Sequence, residues 1–350
     1  MKRILTSGWL WWALSALVFV LATLVFVLQV TPTPGAVLTR QVFDKGGAAM
    51  HERNAEYADK NVQVTSNISY APADSPVAGK YPADTMLDVY RAPGATGPAP
   101  TIVWIHGGGW VSGDKTDMAH YLTRLAGAGF TVLSLNYSLA PDRRYPLAVK
   151  QLSEGLRFAV DHAADYGVDP GKIVLAGDSA GANLASQLAA LITNPEFAQR
   201  VGVTPGIGAS SLRGALLNCG VYDAFTLGPK DHPHSAIARI FSWGVNNTLW
   251  AYTGSRELPS AAADQMSTIK HITGQYPPTW VSAGNADALT PTQSIPFVAA
   301  LKEKGVDVST LIYDKSEPAQ LQHEFQFELA TPQAQRALAE SIDFVRRVTG

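Results

Sequence analysis

A serine flanked by glycines follows an apolar run in the segment KIVLAGDSAGANLASQLAALI, which begins at Lys172. The apolar run predicts a buried strand and the segment rich in alanine and leucine predicts a helix, so Ser179 lies where strand turns into helix. Gly177 and Gly181 are small enough for a strained turn, and a helix N-terminus stabilises negative charge on an oxygen. These features predict that Ser179 is a nucleophile, with a serine in an ordinary structural turn as the alternative.

Three glycines follow His106 in the segment TIVWIHGGGW. Such a run lets the backbone approach a substrate closely, and its N–H groups can bind a carbonyl oxygen. A phosphate-binding loop is disfavoured because no Gly-Lys-Ser/Thr follows, which leaves a plain flexible loop as the alternative. We expect the backbone N–H groups of Gly107, Gly108 and Ala180 to form an oxyanion hole. His106 precedes the loop, so we expect a structural role for it.

These two motifs lie in a regular alternation of strand-like and helix-like segments. Helical periodicity is present near residues 119–128, 146–166, 180–193, 291–304 and 332–348. Strands are predicted at 61–70, 85–90, 101–106, 131–137, 172–176, 214–221, 279–283 and 308–313. Several strands are continuous apolar runs, which is typical of central strands covered on both faces. The alternation predicts an α/β fold with a mostly parallel sheet of eight strands, whose first two strands form an antiparallel edge.

The segment at about residues 222–276, between the sixth and seventh strands, does not fit this alternation. Apolar residues within it keep near-helical spacing: Ile237, Ile240, Phe241, Val245, Leu249 and Tyr252. An inserted helix above the strand ends would form a lid. We therefore expect residues 61–350 to be one catalytic domain that carries a helical lid insertion.

Three ordered motifs now support a family resemblance. HGGGW, LNYSLAPDRRYPLAV and GDSAGANLA together resemble the hormone-sensitive-lipase-like branch of the α/β-hydrolase fold, which contains carboxylesterases and lipases. The resemblance runs from about residue 85 to the C-terminus, with Ala182 where the family usually has a second glycine. It implies a serine hydrolase that cleaves carboxylic esters through an acyl-enzyme, with no metal or cofactor.

The resemblance also points to the acid of a catalytic triad, because the chain order in this fold is serine, acid, histidine. The family pattern G-x-x-D-x-L after the seventh strand is matched by Gly284, Asp287 and Leu289. The role implied for Asp287 is to orient the imidazole and stabilise its cation. A helix-capping aspartate is the alternative interpretation, and Asp264 and Asp314 are less well placed candidates.

Chain order selects one histidine from the eight in the sequence. His323 follows Asp287 in the segment AQLQHEFQFEL, and the others come earlier: His51, His106, His120, His162, His232, His234 and His271. A neutral imidazole can take the hydroxyl proton near pH 7 and return it to the leaving group. The family commonly has glycine after this histidine and a shorter loop before it, whereas here Glu324 follows and KSEPAQLQ lengthens the loop. We expect His323 to be the general base, with a solvated loop histidine as the alternative.

Two other functions stay open. The same groups could cleave amides, and HGGGW also resembles the motif of arylformamidases. Some members of the fold, such as the gibberellin receptors, bind a ligand after the loss of a triad residue. All three triad candidates are present in this sequence, which favours an enzyme over a binding protein.

The N-terminal segment predicts a membrane anchor. Residues 4–30 carry no charge, and at 1.5 Å per residue they would form ~40 Å of helix. Lys2 and Arg3 precede the segment, which predicts a cytoplasmic N-terminus and an extracytoplasmic catalytic domain. A cleaved signal peptide is the alternative. Pro32 and Pro34 interrupt helices, so we expect residues 31–60 to be a linker with a possible contribution to the lid.

Composition sets broader bounds. The 350 residues are 46% hydrophobic and carry a formal net charge of -2, which allows a large core and gives no electrostatic attraction to nucleic acid. The single cysteine, Cys219, excludes an internal disulfide and a cysteine-based metal cluster. We expect an acyl ester as the small-molecule substrate and the membrane as a further partner, whereas oligomeric state has no signal in the sequence.

Overall fold

The predicted eight-stranded sheet is present in the computed structural model, which describes residues 4–72, 74–227 and 236–350. Its strands are β1 (Gln63–Ser69), β2 (Met86–Arg91), β3 (Ala99–Ile105), β4 (Thr131–Leu135), β5 (Val168–Asp178), β6 (Leu212–Asn218), β7 (Thr279–Ala283) and β8 (Val308–Ile312). Their order is β1-β2-β4-β3-β5-β6-β7-β8. The pairs β1–β2 and β2–β4 are antiparallel and the other pairs are parallel, so the predicted sheet with its antiparallel edge is confirmed.

Helices cover both faces of this sheet. The helices of the described residues are α1 (Ile4–Val30), α2 (Thr33–Asn54), α3 (Ala119–Gly127), α4 (Leu147–Asp161), α5 (Ala163–Tyr166), α6 (Ser179–Thr193), α7 (Pro195–Val201), α8 (Ala236–Thr253), α9 (Ala261–Met266), α10 (Ile295–Glu303) and α11 (Pro332–Thr349). Val103 and Ile105 of β3 belong to the core beneath α4 and α6, and Ile102 and Trp104 to the core beneath α3 and α11. Alternate residues of one strand therefore bury opposite faces, which accounts for the continuous apolar run.

The parallel strands bring the predicted site residues to one edge of the sheet. Gly107 follows the end of β3, Ser179 follows β5 directly, Asp287 follows β7 and His323 follows β8. The carboxyl ends of parallel strands lie at the same edge, where open α/β sheets bind their ligands. Residues that are far apart in the sequence thus meet above the middle of the sheet.

The segment predicted to be a lid is described in part. Residues 228–235, which include His232 and His234, lie outside the described residues. The apolar residues with near-helical spacing fall within α8 (Ala236–Thr253), and the short helix α9 (Ala261–Met266) follows. The helical character of this insertion agrees with the sequence pattern, and its action as a lid stays a prediction.

The expected linker at residues 31–60 is wrong, because α2 occupies most of it. Pro34 lies in the first turn of α2, where the missing N–H of proline has no helical partner to lose. A Cβ on Gly35 would lie 2.5 Å from the side chain of Asn247, so α2 crosses α8 closely. The Arg40 guanidinium donates hydrogen bonds to the carbonyl oxygens of Val111, at 2.5 Å, and Ala140, at 2.9 Å. These contacts pack α2 against the domain.

Helix α1 differs from α2 in carrying no charged residue and in having no buried residue from Trp9 to Val30. Its segment Trp9–Val30 spans 22 residues, none of them buried. By length and composition this helix can cross a membrane, and a signal sequence near an N-terminus has the same properties. The break between the two helices falls at Thr31 and Pro32.

Candidate active site

Ser179 lies at the junction of β5 and α6 with a strained backbone. Its φ is +50°, which an L-residue other than glycine rarely adopts. A Cβ on Gly181 would lie 2.0 Å from the carbonyl oxygen of Ile105, and one on Gly177 would lie 2.6 Å from the same oxygen. The backbone of β3 therefore packs directly on this turn, and both glycines of the sequence motif are required by space.

A chain of hydrogen bonds joins the three residues predicted as a triad. Nε2 of His323 lies 3.0 Å from Oγ of Ser179, and Nδ1 lies 2.9 Å from Oδ2 of Asp287. The Asp287 side chain is 2% exposed, and its other oxygen accepts a hydrogen bond of 2.8 Å from the backbone N–H of Leu289. With Nδ1 donating to the carboxylate, Nε2 is free to accept the hydroxyl proton of Ser179.

The long loop before His323 is held in place by Asn285. The Asn285 amide donates to the carbonyl oxygens of Glu317, at 3.0 Å, and Ala319, at 2.9 Å, and its oxygen accepts from the N–H of Leu321 at 2.9 Å. Asn285 stands two residues before Asp287, so the same turn after β7 fixes the acid and the loop that carries the histidine. The inserted residues therefore leave His323 within reach of both partners.

Opposing effects act on the protonation of His323. Burial alone would lower the pKa of its imidazole, but the Asp287 carboxylate beside Nδ1 raises that pKa above its usual value. Burial raises the pKa of the Cys219 thiol to about 11, so the thiol stays protonated near neutral pH. One potential metal-ligand atom from each of Cys219, Asp287 and His323 lies within 4.8 Å of the other two. These atoms could hold a cation, but Asp287 and His323 are already engaged with each other.

The glycine loop after β3 also depends on close packing. A Cβ on Gly108, whose φ is +100°, would lie 2.2 Å from the carbonyl oxygen of Ser112. The buried His106 ring stacks on Tyr137 with 4.4 Å between ring centroids, and its Nδ1 lies 2.9 Å from the carbonyl oxygen of Gly107. Burial lowers the pKa of His106, so the ring is neutral and holds the loop. This position agrees with the structural role predicted for it.

A cavity of about 500 Å³ lies over Ser179 and His323. The residues predicted for the oxyanion hole, Gly107, Gly108 and Ala180, line it together with Asp287. One wall belongs to α2 and is formed by Val42, Phe43, Gly46, Gly47 and Met50. Sequence reasoning missed this wall, although the spacing of these residues is that of one helical face and could have revealed it.

Two carboxyl groups beside the triad candidates were not predicted to act in the site. Oε1 of Glu324 lies 3.9 Å from Nε2 of His323. Oδ1 of the buried Asp178 has no hydrogen-bond partner among the described residues. Burial raises the pKa of Asp178 well above its usual value, and the nearby Glu324 and Asp117 raise it further. Burial also raises the pKa of Glu324, so this part of the site gathers acids that are costly to ionise together.

Known proteins resemble this chain in sequence and in fold. The model of the BD-FAE family matches residues 87–301. Esterase LipQ from Mycobacterium tuberculosis is 30% identical over 295 residues, which cover 82% of this chain and 63% of that protein. The probable carboxylic ester hydrolase LipM from the same organism is 30% identical over 220 residues, or 61% of this chain and 48% of that protein. The chain thus spans about half to two thirds of the length of these curated relatives.

Among solved structures, Esterase B from Lactobacillus rhamnosis is similar with a TM-score of 0.75 and 21% sequence identity. The match covers 91% of this chain and 96% of that one, which supports the same α/β-hydrolase fold. The family match extends over more than half of the 350 residues. The chain therefore belongs to the BD-FAE family, within the hormone-sensitive-lipase-like branch of the α/β-hydrolase fold.

Proposed function

We propose that the protein is a serine hydrolase that cleaves carboxylic esters through an acyl-enzyme. The observation that carries this proposal is the hydrogen-bond chain from Ser179 through His323 to Asp287, which opens into a cavity of about 500 Å³. The curated relatives named as esterases support the same reaction class. No step requires a metal or a cofactor, because the three side chains supply the nucleophile, the base and the charge that orients it.

In the proposed acylation, Nε2 of His323 takes the proton of Ser179 as Oγ attacks the acyl carbon. The Asp287 carboxylate stabilises the imidazolium, which then gives its proton to the leaving alcohol. In the second half-reaction, water attacks the acyl-enzyme with the same histidine as base, and the acid is released. The same three side chains act in both half-reactions, and in each one His323 acts first as the base and then as the acid.

Backbone N–H groups are proposed to stabilise the oxyanion in both steps. Gly107, Gly108 and Ala180 all line the cavity beside Ser179. Asp178, the residue before Ser179, lies directly beside this loop, since a Cβ on Gly107 would lie 2.2 Å from Oδ2 of Asp178. We assign the oxyanion hydrogen bonds to the backbone N–H groups of Gly107, Gly108 and Ala180.

We propose further that residues 1–30 anchor the protein in a membrane, with residues 61–350 on the extracytoplasmic side and 222–276 as the lid insertion. The exposed apolar surface of α1 and the basic residues before it support this arrangement. The close packing of α2 on α8 would let α2 contribute to the lid. Protease digestion of intact cells or spheroplasts tests the topology, since a protected catalytic domain would overturn it.

Replacement of the proposed nucleophile tests the reaction directly. Ser179→Ala should abolish hydrolysis of short p-nitrophenyl esters and labelling by a fluorophosphonate probe, because the covalent step loses its oxygen. Ser210→Ala, at an exposed serine, is the matched control and should keep full activity. Full esterase activity in the Ser179 variant would exclude this mechanism. Faster turnover of a formamide than of an ester would favour an amidase, and absence of labelling in the native chain would favour a binding protein.

A further inference from the structure

Glu324 has a backbone conformation that its side chain does not favour. Its φ is +64° and its ψ is +20°, in the left-handed region. Glycine adopts this region at no steric cost, and asparagine tolerates it, whereas glutamate has no local hydrogen bond to compensate. Strained residues cluster at active sites, so Glu324, directly after the proposed catalytic base, is a candidate for a role in the site.

The carboxyl of Glu324 is directed toward the reacting nitrogen of His323. Oε1 lies 3.9 Å from Nε2, and the side chain, which is 23% exposed, lines the same cavity as Ser179. This distance is too long for a direct hydrogen bond. A single water oxygen at ~2.8 Å from both atoms would span it.

We propose that Glu324 positions the water that attacks the acyl-enzyme. The inference rests on the proposed ester hydrolysis and concerns its second half-reaction. One O–H of the water gives its proton to Nε2 of His323 while the oxygen forms a bond to the acyl carbon. The bond between that carbon and Oγ of Ser179 then breaks, and Oγ recovers the proton from Nε2. Glu324 accepts a hydrogen bond from the second O–H of the water and is unchanged at the end.

The first half-reaction does not need this carboxyl in the same way. During acylation Nε2 already faces the Ser179 hydroxyl at 3.0 Å, and the leaving group occupies the place that the water takes later. Loss of Glu324 should therefore slow deacylation selectively. A carboxyl that served only as a second negative charge near the imidazolium would assist both half-reactions equally, because the cation forms in each.

Pre-steady-state kinetics with p-nitrophenyl acetate separate the two half-reactions. In Glu324→Gly we expect the steady-state rate to fall roughly 10- to 100-fold, since a misplaced reactant costs about this much. The first turnover should change less than roughly threefold, so a burst of about one nitrophenol per Ser179 should appear. Glu324→Gln should lose less, because its amide oxygen still accepts a hydrogen bond. Glu303→Gln, at an exposed position of α10, is the charge-matched control and should behave as the native chain.

The thermal midpoint separates a local effect from misfolding. Glu324→Gly should unfold at the same temperature as the native chain or higher, because glycine removes the backbone strain. An equal fall of acylation and deacylation, or no fall in either, would overturn the role of Glu324. A native chain without esterase turnover would instead contradict the proposed function, so the two failures are distinguishable.

Discussion

His323 is surrounded by groups that act on its protonation in opposite directions. Burial favours the neutral imidazole, Asp287 favours the cation, and Cys219 lies close to both. Glu324 adds a further carboxyl 3.9 Å from Nε2. The net result is a pKa well above the usual value, so the ring is a stronger base than a free histidine and requires a higher pH to become neutral.

The pH dependence of catalysis should follow from this shift. Only the neutral imidazole accepts the Ser179 proton, so kcat/KM for p-nitrophenyl butyrate should rise with pH and reach half of its maximum above about pH 6.5. The measurement is a profile from about pH 5 to about pH 9 at constant ionic strength. His162→Ala, at a histidine between α4 and α5 that pairs with Asp165, should leave the profile unchanged. A midpoint at or below about pH 6.5 would show that the imidazole is not the group that controls the rate.

The glycine-flanked turn pointed to Ser179, the family pattern after β7 pointed to Asp287, and chain order then left His323 among the eight histidines. These residues lie together because a parallel sheet brings its carboxyl ends to one edge. The contacts of Asn285 and the position of Glu324 could not be predicted in this way. They depend on the path of the loop between β8 and α11, which has no periodic pattern. The sequence shows that Glu324 departs from the family pattern, and only the structure shows that Oε1 of Glu324 lies 3.9 Å from Nε2 of His323.

At the scale of elements, α2 forms a wall of the cavity. The sequence analysis had predicted a linker for these residues. Strand positions were predicted within a few residues, because continuous apolar runs mark buried parallel strands. A linker was predicted for residues 31–60 because proline breaks a helix when it lies in the interior. Pro34 lies instead in the first turn of α2, where proline is favourable. The sequence alone did not show that the apolar face of α2 borders a cavity, because this depends on how α8 and the glycine loop lie beside it.

Two glycines of this helix leave space in the wall. A Cβ on Gly46 or on Gly47 would meet no atom within 4 Å. Gly46→Leu should therefore project into the cavity and lower kcat/KM for dodecanoyl esters roughly tenfold, with less than threefold change for acetyl esters. A panel of p-nitrophenyl esters of increasing acyl length measures this. Gly97→Leu also enters open space, at an exposed loop outside the cavity lining, and should leave the preference unchanged. An equal loss for all chain lengths would show that α2 does not border the acyl site.

At the scale of the whole molecule, a buried ion pair joins the antiparallel edge of the sheet to the loop after the three glycines. Nζ of Lys115 lies 3.1 Å from the carboxylate of Asp88, and the two side chains are 6% and 2% exposed. The N–H of Asn67 donates to the same carboxylate. Because both charges are removed from water, neither is stable there without the other.

Breaking this pair should destabilise the fold. Lys115→Met leaves the Asp88 charge buried without its partner, and we expect the free energy of unfolding to fall by about 3–5 kcal/mol. Urea unfolding of the full chain in detergent, followed by circular dichroism, measures the change. Arg336→Met removes an exposed pair with Glu340 on α11 and should have little effect. A loss of less than about 1 kcal/mol in the Lys115 variant would show that water reaches the pair.

The short interval between α1 and α2 has a practical consequence for handling the protein. Only Thr31 and Pro32 separate the helix with the apolar outer surface from the helix that closes the cavity. Proteolytic trimming at these two residues would remove α1 and keep every residue that lines the cavity. Trimming beyond Asn54 would also remove Val42, Phe43 and Met50. The fragment would then lack the α2 wall of the cavity, and Ser179 would lie in an open cleft.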